Sequence, residues 1–153
     1  MESDRYNLNR FVKAQETVYS RVVEELQSGC KRSHWMWFIF PQIQGLGHSS
    51  MARFYAVSSL GEAADYVNHP ILGVRLRECT ELINAVQRLA IMKILGSPDD
   101  LKFRSSMTLF ALATEDNRLF LDALRKYYKG VPDRTTLDIL GMVKKASIFS
   151  ASY

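Results

Sequence analysis

Cysteine is scarce: Cys30 and Cys79 are the two in 153 residues, and no C-x-x-C or C-x-x-C-H spacing joins them. Zinc, haem and redox-dithiol readings therefore get no support, and a reducing, cytoplasmic compartment is expected. Proline (four) and glycine (eight) are few and scattered, which excludes collagen-like and low-complexity chains and leaves no linker to divide the chain into modules. The longest apolar run, Trp35 to Pro41, is seven residues, far short of the ~20 that a membrane span needs, so no membrane partner is expected. Met1-Glu2-Ser3-Asp4-Arg5 mixes charges where a leader would carry a basic patch followed by an apolar stretch, so it does not read as a signal peptide. The histidines, His34, His48 and His69, lack the i, i+4 spacing with a carboxylate that a helical zinc site shows, and no metal or other cofactor is expected. No G-x-S-x-G, G-x-x-x-x-G-K-[ST] or G-x-G-x-x-G occurs, which removes the hydrolase, P-loop and Rossmann readings.

What remains is the composition of a folded domain, 47% hydrophobic and 24% charged. Its length suits one domain over 1–153, with a core from about 8 to 140 and a C-terminal tail over 141–153. A chain of this size buries roughly 70% of its unfolded surface and needs no disulfide or metal staple. Twenty Lys and Arg against sixteen Asp and Glu leave +4, which favours an anionic partner. Nucleic acid is the weaker choice, because no recognised binding module accompanies that charge.

The apolar spacing predicts a mainly α fold, a compact helical domain of about six to eight helices. One helix is expected from Leu8 to Leu26, with a polar break at Gln15 and Gly29 beyond its end. Shorter ones follow over Met51–Ser58 and from the capping box Ser59-Leu60-Gly61-Glu62 through Val67. His69-Pro70 marks a boundary, and a second long helix runs from Ile71 to Leu89. Ser97-Pro98-Asp99-Asp100 starts a helix reaching Ala113, with proline in the first turn and two acids where the macrodipole favours negative charge. Two more are expected, from Glu115 or Asp116 to Tyr128 and over Thr135–Leu140. The tail from Gly141 is read as extended or disordered. Trp37 to Phe40 leaves room for a small sheet.

Two segments carry candidate chemistry. Lys31-Arg32-Ser33-His34-Trp35-Met36-Trp37-Phe38-Ile39-Phe40-Pro41-Gln42 sets two cations, a hydroxyl and an imidazole before both tryptophans and leads into a loop with Gly45 and Gly47. Cations beside aromatic faces suit a phosphate joined to a flat ring, one part binding charge and the other stacking. The plainer reading makes the aromatics core and Lys31-Arg32 a solvated turn. In Gly96 to Phe110, Lys102 and Ser106 share a helix face at i, i+4, with Ser105 and Arg104 beside them. Arg104-Ser105-Ser106-Met107-Thr108 is unusually polar for a helix middle. Against a ligand role stands simple pairing of Asp99 with Lys102 or of Asp100 with Arg104. A Cys30 nucleophile near His34 lacks a third, orienting group.

These blocks, with Leu76-Arg77-Glu78-Cys79-Thr80, resemble the signature segments of the domain of unknown function 1810 family over about Leu8 to Leu140. Some members carry the label calpastatin, which does not transfer, since calpastatins are disordered and this composition is that of a folded domain. The family is similar in fold to the NADAR (YbiA-like) superfamily, a mainly helical group associated with NAD and ADP-ribose chemistry. That resemblance implies a nucleotide- or ADP-ribose-like anionic ligand between the two segments. Lys31, Arg32, Lys102 and Arg104 would meet phosphate, Trp35 or Trp37 would stack, and His34, Gln42, Ser105 and Ser106 would fix hydroxyls. If the chain is an enzyme, N-glycosyl hydrolysis is the implied reaction, with His34 or Asp99 moving the proton. NADAR proteins carry a glutamate near their aromatic block where this chain reads Trp-Phe-Ile-Phe-Pro-Gln, so binding is the better supported expectation. The alternative is a non-catalytic protein-interaction domain whose signature segments are structural.

Overall fold

The computed structural model describes residues 3–150, and within them the chain forms ten α-helices followed by a 3-10 helix. The count exceeds the expected six to eight because the first apolar stripe splits and because short helices form over Met36–Ile39 and Ile91–Leu95. It forms α1 (Asn9–Glu16) and α2 (Tyr19–Gln27), which meet at Thr17 and Val18, a β-branched pair of low helix propensity. Gln15, the polar break in that stripe, is buried and donates from Nε2 to the Phe38 carbonyl at 2.7 Å and to Tyr66 Oη at 3.1 Å. It thereby ties α1 to the aromatic block.

That block is one turn of helix, α3 (Met36–Ile39), and not the small sheet the sequence admits. Pro41 follows it, and the single β-bridge among the described residues is the parallel contact of Ile43 with Val57. The glycine loop leads to α4 (Ser50–Phe54), whose first turn is capped by the Ser49 hydroxyl. Ser59 caps α5 (Leu60–Asn68) as its spacing predicts, and α6 (Leu72–Ala85) follows the His69-Pro70 boundary but stops short of Leu89. The two helices meet so closely that a Cβ on Gly73 would lie 1.9 Å from the Val67 carbonyl oxygen.

After α7 (Ile91–Leu95) comes α8 (Asp99–Ala113), the centre of the molecule, against which α5, α7, α9 (Arg118–Tyr128) and α10 (Arg134–Leu140) all pack. Enclosure from several sides explains its polar middle. Ser105 Oγ donates back to the Leu101 carbonyl at 3.2 Å and Thr108 Oγ1 to that of Arg104 at 2.9 Å, so these two small hydroxyl side chains let neighbouring helices approach while keeping a partner of their own. The tail expected to be extended or disordered instead forms the 3-10 helix Val143–Ser150, with Phe149 buried. Residues 151–153 of that tail, and Met1 and Glu2 of the charged N-terminus, lie outside the described residues. No helix among the described residues is long and apolar enough to cross a membrane.

Candidate functional site

The aromatic block is held by a residue that the sequence reading passed over. Glu25, on the buried stripe of α2, accepts from the Arg32 amide (2.8 Å), the Ser33 amide (3.1 Å), the Ser33 hydroxyl (2.7 Å) and the Trp35 indole Nε1 (2.9 Å). Burial alone would raise its pKa. The donors from Ser33, Arg32 and Trp35 outweigh that and hold the carboxyl down at about 2, because each favours the charged form. One carboxylate thus fixes the backbone of residues 32 and 33 and the orientation of Trp35. It leaves the cations and the second tryptophan to point elsewhere.

The two signature segments do come together. The Lys31 amide donates to the Ile94 carbonyl at 2.7 Å, and Lys31 Nζ lies 2.8 Å from Asp99 Oδ2, both side chains largely covered. Asp99 Oδ1 lies 3.7 Å from Lys102 Nζ. Each ammonium also faces an indole: Lys31 Nζ is 5.0 Å from the Trp35 ring centre and Lys102 Nζ is 5.3 Å from that of Trp37. Asp99 therefore sits between two lysines and already has both oxygens engaged. The closer contact goes to Lys31, leaving Lys102 the less neutralised of the pair.

Beside Lys102 lies a partly open cavity of about 160 Å³. Met36, Trp37 and Phe40 form one wall and Gln42 to Gly45 another. The far side is α4 and its exit, with Arg53, Tyr55 and Ala56. No Asp, Glu or His lines it among the described residues. The loop is shaped by glycine at two points: Gly45 has φ +108°, a region that side chains disfavour, and a Cβ on Gly47 would lie 2.5 Å from that of Ala52. Arg53 is exposed and has no carboxylate within ion-pair distance among the described residues. The cavity thus presents an indole, a phenol ring and two cations, and it is net positive.

The wall carrying Tyr55 and Ala56 is held from behind by Arg10. Its Nε donates to the Phe54 carbonyl (2.8 Å), Nη1 to those of Tyr6 (2.7 Å) and Asn7 (2.9 Å), and Nη2 to that of Ala56 (2.9 Å) and to Glu62 Oε2 (2.8 Å). All five guanidinium N–H groups are thereby used. Glu62 gives its other oxygen to the Ser58 amide and hydroxyl, at 2.9 and 2.8 Å, so this buried pair has every partner it needs.

Of the residues singled out from sequence, Trp37, Gln42 and Lys102 line the cavity, and Lys31 and Asp99 stand behind Lys102. Trp35 is 1% exposed and belongs to the core, its indole turned to Glu25 and not toward a ligand. Arg32 and His34 are exposed and lie outside the cavity lining. Arg104 donates to the Val131 carbonyl at 2.9 Å and covers Tyr128, away from the cavity. Ser105 is committed to its own helix, and Ser106 is fully buried with its hydroxyl unpartnered. The site residues missed from sequence are Arg53 and Tyr55 at the cavity and Glu25, Arg10 and Glu62 behind it. Glu25 at least carried a signal, a carboxylate on the apolar face between Val22 and Leu26.

Comparison with known proteins bears on most of the chain. The family described as "Protein of unknown function (DUF1810)" matches residues 5–140. The crystal structure of the conserved hypothetical protein Rv1873 from Mycobacterium tuberculosis is similar to this chain at 56% identity, with a TM-score of 0.89 and coverage of 90% of this chain and 99% of that one. Among curated proteins none matches it.

Proposed function

The chain belongs to the family described as protein of unknown function (DUF1810), and we propose that it binds a small anionic ligand carrying a flat ring, of nucleotide or ADP-ribose type, in the cavity between α3, α4 and α8. One observation carries the reading: Trp37, Lys102 and Arg53 converge on a partly open space, and among the described residues no carboxylate lines it and only Lys102 has an acidic partner, Asp99 at 3.7 Å. The Trp37 face supplies stacking. Lys102 is a point charge for phosphate, and Arg53 is a fork of donors matched to its oxygens. A cavity of about 160 Å³ compares with the ~150 Å³ that accepts one benzene-sized ring. The fold resemblance of this family to the NADAR superfamily, which the sequence reading implies although its signature block lacks the NADAR glutamate, suggests ADP-ribose as the first probe.

Binding is favoured over N-glycosyl hydrolysis because proton transfer needs a group within reach of the bond. His34 stands outside the cavity, and Asp99 is occupied by two ammonium groups. A reducing, cytoplasmic setting suits the free thiols of Cys30 and Cys79. Titration of tryptophan fluorescence with ADP-ribose tests the proposal. A saturable change below millimolar ligand is expected, lost in Trp37→Phe and shifted about tenfold to weaker binding in Lys102→Ala and Arg53→Ala, the usual scale for one hydrogen bond to a charged group. No change in the parent protein up to millimolar ligand contradicts it.

A further inference from the structure

Behind the cavity stand one carboxylate and two ammonium groups, and of the three only Lys102 reaches the cavity wall. Asp99 opens α8, where the helix dipole favours a negative charge, and Lys31 Nζ holds its Oδ2 at 2.8 Å. Lys31 is itself fixed. Its amide donates to the Ile94 carbonyl at 2.7 Å, its ammonium lies 5.0 Å from the Trp35 ring centre, and its side chain is 8% exposed. Lys102 is held less closely, with its side chain 26% exposed and its Nζ 3.7 Å from Asp99 Oδ1. One carboxylate thus faces two cations, and its closer contact with Lys31 weakens its hold on Lys102.

Resting on the anion site proposed above, we infer that Lys31 is a positioning residue that does not touch the ligand: it occupies Asp99 and so leaves Lys102 free to receive an anion beside Trp37. Asp99 is the antagonist of that site. With Lys31 made neutral, the carboxylate keeps one cation within ion-pair distance among the described residues, Lys102, and competes with the ligand for it. Asp99 and Lys102 lie three residues apart on α8, so a side-chain rotation closes the gap between them with no movement of the backbone. Lys31 and Asp99 thereby take roles other than the phosphate contact and the proton transfer that their sequence positions suggest.

Quenching of tryptophan fluorescence by iodide, an anion, compared with acrylamide, a neutral quencher, tests this with no ligand present. Trp35 is 1% exposed, so Trp37 is the accessible indole of the two. Asp99→Asn should raise the iodide quenching constant about twofold and Lys31→Met should lower it by a similar factor, the scale of a partly exposed ion pair, with the acrylamide constants unchanged. Lys31→Met added to Asp99→Asn should change little, because the carboxylate through which Lys31 acts is gone, and Lys31→Arg should behave as the parent. If Lys31→Met alone does not fold, Asp99→Asn and the double variant still decide. An iodide constant that Asp99→Asn leaves unchanged, or a double variant quenched about twofold less than Asp99→Asn, overturns the inference. Titration with ADP-ribose separates it from the cavity reading. Equal affinity in the parent and in Asp99→Asn defeats the inference alone, whereas the expected iodide order without ADP-ribose binding defeats the ligand reading alone.

Discussion

Replacing Glu25 by glutamine keeps the shape of the side chain and removes its charge, so it isolates what ionisation contributes to the aromatic block. The carboxyl is held at about 2 against an ordinary value of 4.5. At 1.36 kcal/mol per unit, ionised Glu25 contributes at most about 3 kcal/mol to folding. The sign follows from the direction of the shift. A carboxyl whose folded-state pKa is depressed stabilises fully above its unfolded value, and that stability drains away as pH falls from about 4.5 to about 2. Glu25→Gln should therefore cost up to about 3 kcal/mol at pH 7, and the gap from the parent should narrow progressively below pH 4.5. Urea unfolding followed by circular dichroism at a series of pH values from 7 to 2.5 reads both curves. The other carboxyl groups are common to the two proteins and cancel in the difference. Parallel curves, with the same gap at pH 7 and pH 3, would refute the assignment of Glu25 as the charged anchor.

Further substitutions at four positions test the frame around the site. Arg10→Ala strands the buried Glu62 carboxylate and should cost about 3–5 kcal/mol; Arg10→Lys should recover little, since an ammonium cannot reproduce five donors in a fixed fork. Gly73→Ala would ordinarily gain roughly 0.5–1 kcal/mol in a helix interior, yet the added Cβ would meet the Val67 carbonyl at 1.9 Å, so thermal denaturation should show a clear loss; a raised melting temperature would contradict the close approach of α5 and α6. Trp35→Ala should cost about 3–5 kcal/mol as a core deletion, whereas Lys102→Ala, whose ion pair spans 3.7 Å, should cost less than about 1 kcal/mol in the same urea assay.

Much of the fold could be read from periodicity, because most helices here bury one face. Ser59, the His69-Pro70 boundary and the acidic start of α8 announce themselves through capping chemistry that acts within a few residues. Failures fall where a long-range partner decides the local structure. The Trp35–Phe40 block has no clean period because its conformation is tied by Glu25 and Gln15, residues 10 and 23 positions away from their partners Trp35 and Phe38. The hydroxyls of α8 looked like ligand groups because a helix buried on several sides uses small polar residues for close packing, and a single sequence does not reveal that enclosure. Trp37, Gln42 and Lys102 were legible as candidates through the pairing of cation and aromatic. Arg53 and Tyr55 were not, since one lies in and the other directly follows a five-residue helix whose place beside Trp37 depends on the glycine loop and on Arg10.

The most direct measurement is a crystal structure of the protein soaked with ADP-ribose. The account predicts ring density inside the cavity against Trp37 and phosphate oxygens within hydrogen-bond distance of Arg53 or Lys102. Density for the ligand at another surface, with the Trp37 cavity empty, would contradict it.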